Sequence, residues 1–200
     1  MMRKGIDVSY AQGKINWEMA AADGVQFAMI KSSQGKLLRD ASVGPFADPR
    51  FHENVKGAAA AGIQVGVYHY LCAGTVSEAL REAQYVIDLV QPYRDIITLG
   101  VACDAEEDKY LPRDRQLLTN IVHGFCKKIK QNGKMQPMLY SNPNYLTYRL
   151  GNLSIYPLWL AYWGTTEARA LRYNPRIWQY GAEKVGWITG SRVDMNIGYI

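Results

Sequence analysis

The stretch Thr98-Leu99-Gly100-Val101-Ala102-Cys103-Asp104-Ala105-Glu106 is a short apolar run of strand length that ends in two carboxylates one residue apart. Side chains alternate across a strand, so Asp104 and Glu106 are expected on one face, with Ala102 and Gly100 behind them. Val101, Cys103 and Ala105 then offer a small apolar surface to the other side. This pattern suits a crowded interior capped by an acidic rim. The plainer reading is a strand end that runs into a solvated acidic loop, because Glu107 and Asp108 follow at once. An Asp-x-Glu tripeptide is too common to decide between the two, and the rest of the chain has to.

Upstream, residues 5–9, 27–32 and 65–70 read as strands. A helix over 16–22 has Asn16 as its cap and Gly24 as its stop. Asp48-Pro49 opens a second helix that Gly62 ends, and Thr75-Val76-Ser77-Glu78 is a capping box for a third that stops near Val90, before Pro92. Between strand two and the second helix lies a longer loop, entered through Ser33-Gln34-Gly35. Downstream of the quoted stretch, Leu117, Ile121, Val122, Phe125 and Ile129 recur at helical spacing until Gly133. Pro137-Met138-Leu139-Tyr140-Ser141 is a fifth strand, and Asn142-Pro143 starts a shorter helix. After Leu150 the rhythm changes: strand-like runs at 158–162, 176–180 and 193–197 follow with little helical pattern between them.

Five strand–helix units and three further strands make eight strands, and such alternation implies a parallel sheet. The predicted fold is α/β: a modified TIM-type barrel, (β/α)5(β)3, of eight mostly parallel strands with about five helices. It occupies residues 1–200 as one domain. An open doubly wound sheet is the rival, but no G-x-G-x-x-G follows the first strand and no P-loop occurs.

Composition bounds the function. Of the 200 residues, 48% are hydrophobic and 20% charged, an ordinary globular balance, and no apolar run approaches the ~18 residues that would cross a membrane. No membrane insertion is expected. Met1-Met2-Arg3-Lys4 leads straight into Gly5-Ile6-Asp7-Val8-Ser9 without an apolar core, so no signal peptide is expected in this chain. The net charge of +5 is spread out, apart from Lys127-Lys128-Ile129-Lys130 at a predicted helix C-terminus, where cations are favoured anyway. No nucleic-acid partner is expected; attraction to an anionic cell wall agrees with the charge. Cys72, Cys103 and Cys126 lack metal or disulfide spacing and are expected as buried free thiols.

A parallel barrel carries its site at the C-terminal ends of the strands, and closure makes the first strand a neighbour of the eighth. Asp7 on strand one, Asp104 and Glu106 at the end of strand four and Asp194 on strand eight then converge on one mouth. Four acids together are costly unless their repulsion is used. Two uses stay open from the residues alone: a hard metal held by oxygens, or a close pair acting as general acid and partner in glycoside cleavage. Tyr68, Tyr70, Tyr140, Trp159 and the run Trp178-Gln179-Tyr180 lie on predicted strands near the same rim, and flat apolar faces with polar tips suit pyranose rings. His69, between two tyrosines, should point the opposite way, toward a helix. His52 and His123 fall on helices, and no His/Cys cluster supports zinc.

The chain resembles the family 25 glycoside hydrolases, lysozymes that cleave bacterial peptidoglycan. The matching pieces are Gly5-Ile6-Asp7-Val8-Ser9 with Trp17, Asp48-x-x-Phe51-x-x-Asn54, Ala61-Gly62-Ile63-x-Val65-Gly66-Val67-Tyr68-His69 and Asp104-Ala105-Glu106. Leu139-Tyr140-Ser141, Leu158-Trp159-Leu160-Ala161, Trp178-Gln179-Tyr180 and Gly190-x-x-Val193-Asp194-Met195-Asn196 continue them in order. Two departures stand out: Gln34 precedes Gly35 where such lysozymes often carry glutamate, and Cys103 precedes Asp104 where a larger apolar residue is usual.

The resemblance implies a barrel with fewer helices than strands and hydrolysis of the β-1,4 bond from N-acetylmuramic acid to N-acetylglucosamine. It implies Glu106 as general acid/base, with Asp7, Asp104 and Asp194 completing the acidic site. Tyr68, Tyr140, Trp159 and Gln179 are the expected substrate-binding residues. No cofactor or metal is expected, the partner is peptidoglycan glycan, and the chain is expected to act as a monomer on the cell wall, as an endolysin does. A like-charged Asp104 on the same face should raise the pKa of Glu106. Either an aspartate attacks the anomeric carbon, or an aspartate orients the substrate's own 2-acetamido oxygen to do so with net retention, which the resemblance favours. A non-catalytic sugar-binding module and a chitinase-like hydrolase are the alternatives.

Overall fold

The structure, a computed structural model, describes residues 2–36, 44–106 and 108–200. Residues 37–43 of the loop after Gly35, Met1 and Glu107 lie outside the described residues. Among the described residues, eight strands close into a barrel. In order around it they are β1 (Met2–Val8), β2 (Phe27–Gln34), β4 (Gln64–Tyr70), β5 (Ile97–Asp104), β6 (Pro137–Ser141), β7 (Leu158–Ala161), β8 (Ile177–Glu183) and β9 (Val193–Tyr199). A two-residue strand that the sequence reading lacks, β3 (Phe46–Ala47), pairs antiparallel with the end of β2.

Neighbours from β1 through β8 are parallel, but β9 runs antiparallel to both β8 and β1. This corrects the reason for expecting Asp194 at the mouth. Asp194 is the second residue of β9, and a parallel β9 would carry it to the far end. Reversal pairs it with Asp7 near the end of β1.

Local chemistry sets the helices. α1 (Trp17–Ala22) is capped by Asn16, whose Oδ1 accepts from Met19 N at 3.0 Å. α2 (Phe51–Ala60) starts later than Asp48-Pro49 suggested. The Asp48 carboxylate accepts from Arg50 N (2.9 Å) with one oxygen and Tyr10 N (3.0 Å) with the other, so it fixes a turn rather than capping the helix. α3 (Val76–Val90) has the expected Thr75 cap, although Glu78 accepts from Gly74 N at 2.6 Å. α4 (Arg115–Gln131) is capped by Asp114. After Asn142, whose Oδ1 accepts from Tyr145 N, the chain makes only a five-residue π-helical turn, Tyr145–Arg149. A short α5 (Glu167–Ala170) between β7 and β8 was not legible in the helical pattern. Among the described residues no helix is long and apolar enough to cross a membrane.

Alternation sorts the strands' side chains into two cores. Phe27, Met29, Leu99, Ala102, Met138, Tyr140, Trp159 and Ile177 fill the barrel, while Ile6, Val8, Ile30, Val67 and Cys103 pack outward against the helices. Gly5 and Gly198 make room for the Phe27 ring: a Cβ on Gly5 would lie 2.1 Å from it. Gly100 has φ +91° and marks the irregular register between β4 and β5, where a Cβ would lie 2.1 Å from Gln136 O. The three cysteines are buried and free.

Candidate active site

The barrel's interior is packed up to Ala102 and Met29, and above that level the inward positions turn polar. A cavity of about 180 Å³ opens there, lined by Asp7, Lys31, Tyr68, Tyr70, Asp104, Glu106, Tyr140, Trp159, Gln179 and Asp194. All eight residues expected at the site from sequence are among them. Among the described residues, larger hollows beside Leu153, Trp187 and Gly124 have no acid cluster in their lining.

Each element delivers its residue through strand alternation. β1 brings Asp7, β4 brings Tyr68 and Tyr70, β6 Tyr140, β7 Trp159, β8 Gln179 and β9 Asp194. β5 ends at Asp104, so Glu106 belongs to the segment beyond the strand, not to its face as the sequence reading had it. The same alternation turns Trp178 and Tyr180 away from the cavity, which corrects their placement on the rim. Trp178 packs outside with Leu160 and Ala170. His69 faces out as expected: its Nδ1 meets Ser33 Oγ and its Nε2 meets Glu82 Oε2, each at 2.8 Å, and its ring stacks on Phe125. Asp108, in the acidic run after Glu106, pairs at the surface with Arg149 and Tyr145.

Two amides hold Asp7. Its Oδ2 accepts from Gln179 Nε2 at 2.9 Å and from Asn196 Nδ2 at 2.8 Å. Each amide is oriented in turn by an indole: Trp163 Nε1 donates to Gln179 Oε1 at 2.9 Å, and Trp159 Nε1 to Asn196 Oδ1 at 2.8 Å. Tyr140 OH also donates to Gln179 Oε1, at 3.2 Å. Asp104 is as buried as Asp7, and its Oδ1 has no hydrogen-bond partner among the described residues.

Burial dominates the electrostatics. It raises Asp7 to about 7, with the charge of Asp194 adding to the effect and the two amides opposing it. Asp104 is pushed well above the usual carboxylate range by burial and then by Glu106, against the pull of Lys31. Burial likewise raises Asp194. It lowers Lys31, and the surrounding Asp104, Asp48 and Glu106 oppose that. Among the described residues the cavity therefore holds three aspartates whose charged forms burial disfavours, Asp7 to about 7, beside the Lys31 ammonium.

Lys31 and Asn196 were missed as site residues. Strand alternation from Met29 was the available signal for Lys31, whose ammonium bonds Gln34 Oε1 at 3.0 Å and lies 4.9 Å from the Tyr70 ring centre. Alternation from Asp194 would have found Asn196. Among the described residues, no three His, Cys, Asp or Glu side chains are grouped to hold a metal ion.

A closed, mixed eight-stranded barrel with its acids at one mouth is a modified TIM-type barrel. Solved structures share this fold across nearly the whole chain. The bacterial lysozyme from Streptomyces coelicolor has a TM-score of 0.76 at 23% identity, over 99% of this chain and 92% of that one. The modular autolysin LytC from Streptococcus pneumoniae has a TM-score of 0.83 at 24% identity, over 99% of this chain and 47% of that one.

The chain belongs to the glycosyl hydrolases family 25, whose family model matches residues 6–186. It is similar to lysozyme M1 of Streptomyces globisporus, with 29% identity over 96% of this chain and 66% of that protein. The autolytic lysozyme of Clostridium acetobutylicum is 24% identical over 82% of this chain and 46% of its own length. The chain thus spans about two thirds and about half of the curated relatives it matches.

Proposed function

We propose that the protein is a lysozyme, a 1,4-β-N-acetylmuramidase acting on the glycan strands of bacterial peptidoglycan at the cell wall. The observation that carries this reading is the position of Glu106 in one small cavity with the buried Asp7 and Asp104. A proton donor and carboxylates of perturbed acidity side by side are what glycoside cleavage needs. The family and the relatives named as lysozymes support it. So does the fold shared with the pneumococcal autolysin LytC, whose structure has also been solved in complex with a synthetic peptidoglycan ligand.

In this reading Glu106 protonates the glycosidic oxygen as its bond to the anomeric carbon of N-acetylmuramic acid breaks, and the bond's electrons leave with that oxygen. The substrate's own acetamido oxygen bonds the anomeric carbon from the other face. Asp104 Oδ1 is the acceptor for the acetamido N–H, which strengthens that attack. Water then opens the intermediate, giving its proton to Glu106 and leaving the anomeric configuration retained. Asp7 and Asp194 supply negative charge beside the developing oxocarbenium ion. Tyr68, Tyr140 and Trp159 form the wall against which the ring sits.

Glu106→Gln, which keeps the shape and removes the acid, is expected to abolish clearing of cell-wall suspensions while the protein stays folded. A folded Glu106→Gln variant that still clears them would remove Glu106 from the role. A sugar-binding module on the same barrel would bind glycan without releasing reducing ends, and a chitinase-like enzyme would prefer chitin to peptidoglycan. A covalent sugar trapped on an aspartate would replace the acetamido route by direct attack.

A further inference from the structure

Four of the chain's five tryptophans are at most 7% exposed, whereas Trp163 is 49% exposed. A single exposed aromatic needs no explanation by itself. Tyr148 and Ile155, at 71%, are barer still. What sets Trp163 apart is its polar edge. It lies two residues beyond β7, where Tyr162 N donates to Gln179 O at 3.0 Å and so continues the β7–β8 pairing into the mouth. Its Nε1 then reaches the buried side chain of Gln179. The indole is therefore anchored at its nitrogen in the lining of the acid cavity and open to solvent over much of its remaining surface.

That anchor decides which way Gln179 points. An amide oxygen has two lone pairs, and here both are taken, by Tyr140 OH and Trp163 Nε1. The amide's NH₂ end must then face Asp7, to which it donates. Asn196 repeats the device with Trp159, so two indoles fix two amides that donate to the same oxygen of Asp7. The Trp159 arm is sealed inside the barrel, and the Trp163 arm is at the surface. A flat apolar ring held edge-on at the rim matches the apolar C–H face of a pyranose.

We infer that Trp163 is a sugar platform at the rim of the cleft and, through Gln179, a positioning residue for Asp7. A ring of the glycan next to the one held over the acids packs on the exposed indole, and the same indole keeps the Gln179 amide donating. This rests on the muramidase reading for its substrate, but the platform stands on binding and not on cleavage.

The experiment compares the wild type with Trp163→Ala and Trp163→Phe on soluble, uncrosslinked peptidoglycan glycan strands. It measures affinity by tryptophan fluorescence and, separately, kcat, KM and their pH dependence from reducing-end release. Trp163→Ala is expected to weaken binding about tenfold. Trp163→Phe keeps a flat ring and loses only the N–H, so its affinity is expected within about threefold of wild type. With only the longer Tyr140 bond left to hold its oxygen, the Gln179 amide turns more readily and its donation to Asp7, which favours the charged form, weakens, so the acidic limb of the Trp163→Phe profile moves to higher pH. Asp194, Glu106, Asp104, Lys31, Tyr68 and Tyr140 share that cavity and are unchanged in both variants.

Unaltered affinity in Trp163→Ala overturns the platform, and a wild-type pH profile in Trp163→Phe overturns the positioning role. If the wild type binds the strands without releasing reducing ends, the muramidase reading fails while the affinity comparison still decides the platform. If it does not bind them at all, both fail.

Discussion

Asp7 and Asp194 stand opposite one another in the β1–β9 register, on strands that run in opposite directions. Only because β9 is reversed do its first residues reach the mouth, where burial raises the pKa of Asp7 and the charge of Asp194 adds to that rise. The pairing costs stability. The carboxyl of Asp7 titrates about 7 when folded against an ordinary value of 3.8, so between those values the folded chain holds a proton the unfolded chain has released. Its contribution to stability is complete below about pH 4 and is lost as pH rises through 7.

Asp7→Asn keeps an oxygen for Gln179 and Asn196 to donate to and removes the charge. We expect its melting temperature at pH 8 to exceed that of the wild type by roughly 3–6 °C. The difference should shrink as pH falls toward 4, with lytic activity lost at every pH. Melting curves of both proteins across that range check it, and equal curves at pH 8 would contradict it.

Lys31 places a cation inside this acid cavity, near Asp104, Asp48, Glu106 and Cys72 and with the Tyr70 ring beneath it. Its charge favours the ionised form of Asp104. In Lys31→Met the acidic limb of the lytic rate profile is expected to move to higher pH by about one unit. Lys31→Arg is expected to restore it. A limb that stays in place in the methionine variant would show that Lys31 serves packing alone.

Gly100 bends β5 just before its acidic end, at a backbone angle that only glycine adopts freely and with the carbonyl of Gln136 where a Cβ would go. Gly100→Ala is expected to cost about 2–4 kcal/mol in urea denaturation. It is also expected to lower activity, because the irregular register sets where Asp104 emerges.

Much of this was readable in the chain. The strand–helix rhythm through Ser141 and the three closing strands located every strand of the barrel, and alternation brought Asp7, Tyr68, Asp104 and Gln179 inward. What pattern does not carry is direction: a strand of alternating residues reads the same whichever way it pairs, so the reversal of β9 was invisible and Asp194 reached the mouth by another route than expected. Alternation has no stop signal, so it carries the strand through Glu106, whereas β5 ends at Asp104 and its last backbone bond to β6 is that of Ala105 N to Tyr140 O at 3.2 Å. β3 and α5, with two and four residues, are too short for any periodicity to register. Trp163 carries no such signal, because nothing near it in sequence tells that its N–H meets Gln179.

Behind the cavity, Glu82 is buried with one carboxylate oxygen taking both His69 Nε2 at 2.8 Å and Cys72 N at 3.1 Å. It ties α3 to the end of β4. Glu82→Ala strands both partners and is expected to destabilise the fold by about 2–3 kcal/mol. Glu82→Gln retains an acceptor and is expected to lose about 1 kcal/mol. Chemical denaturation of the pair checks the order, and equal losses would place the effect in the cavity left by the side chain instead of in its bonds.

The central claim is that Glu106 and the aspartates around it cleave the bond from N-acetylmuramic acid to N-acetylglucosamine. Mass spectrometry of the fragments released from purified peptidoglycan tests it most directly. The expected result is fragments whose new reducing end is N-acetylmuramic acid, produced by the wild type and absent with Glu106→Gln. Fragments ending in N-acetylglucosamine, or the same products from the Glu106→Gln protein, would contradict it.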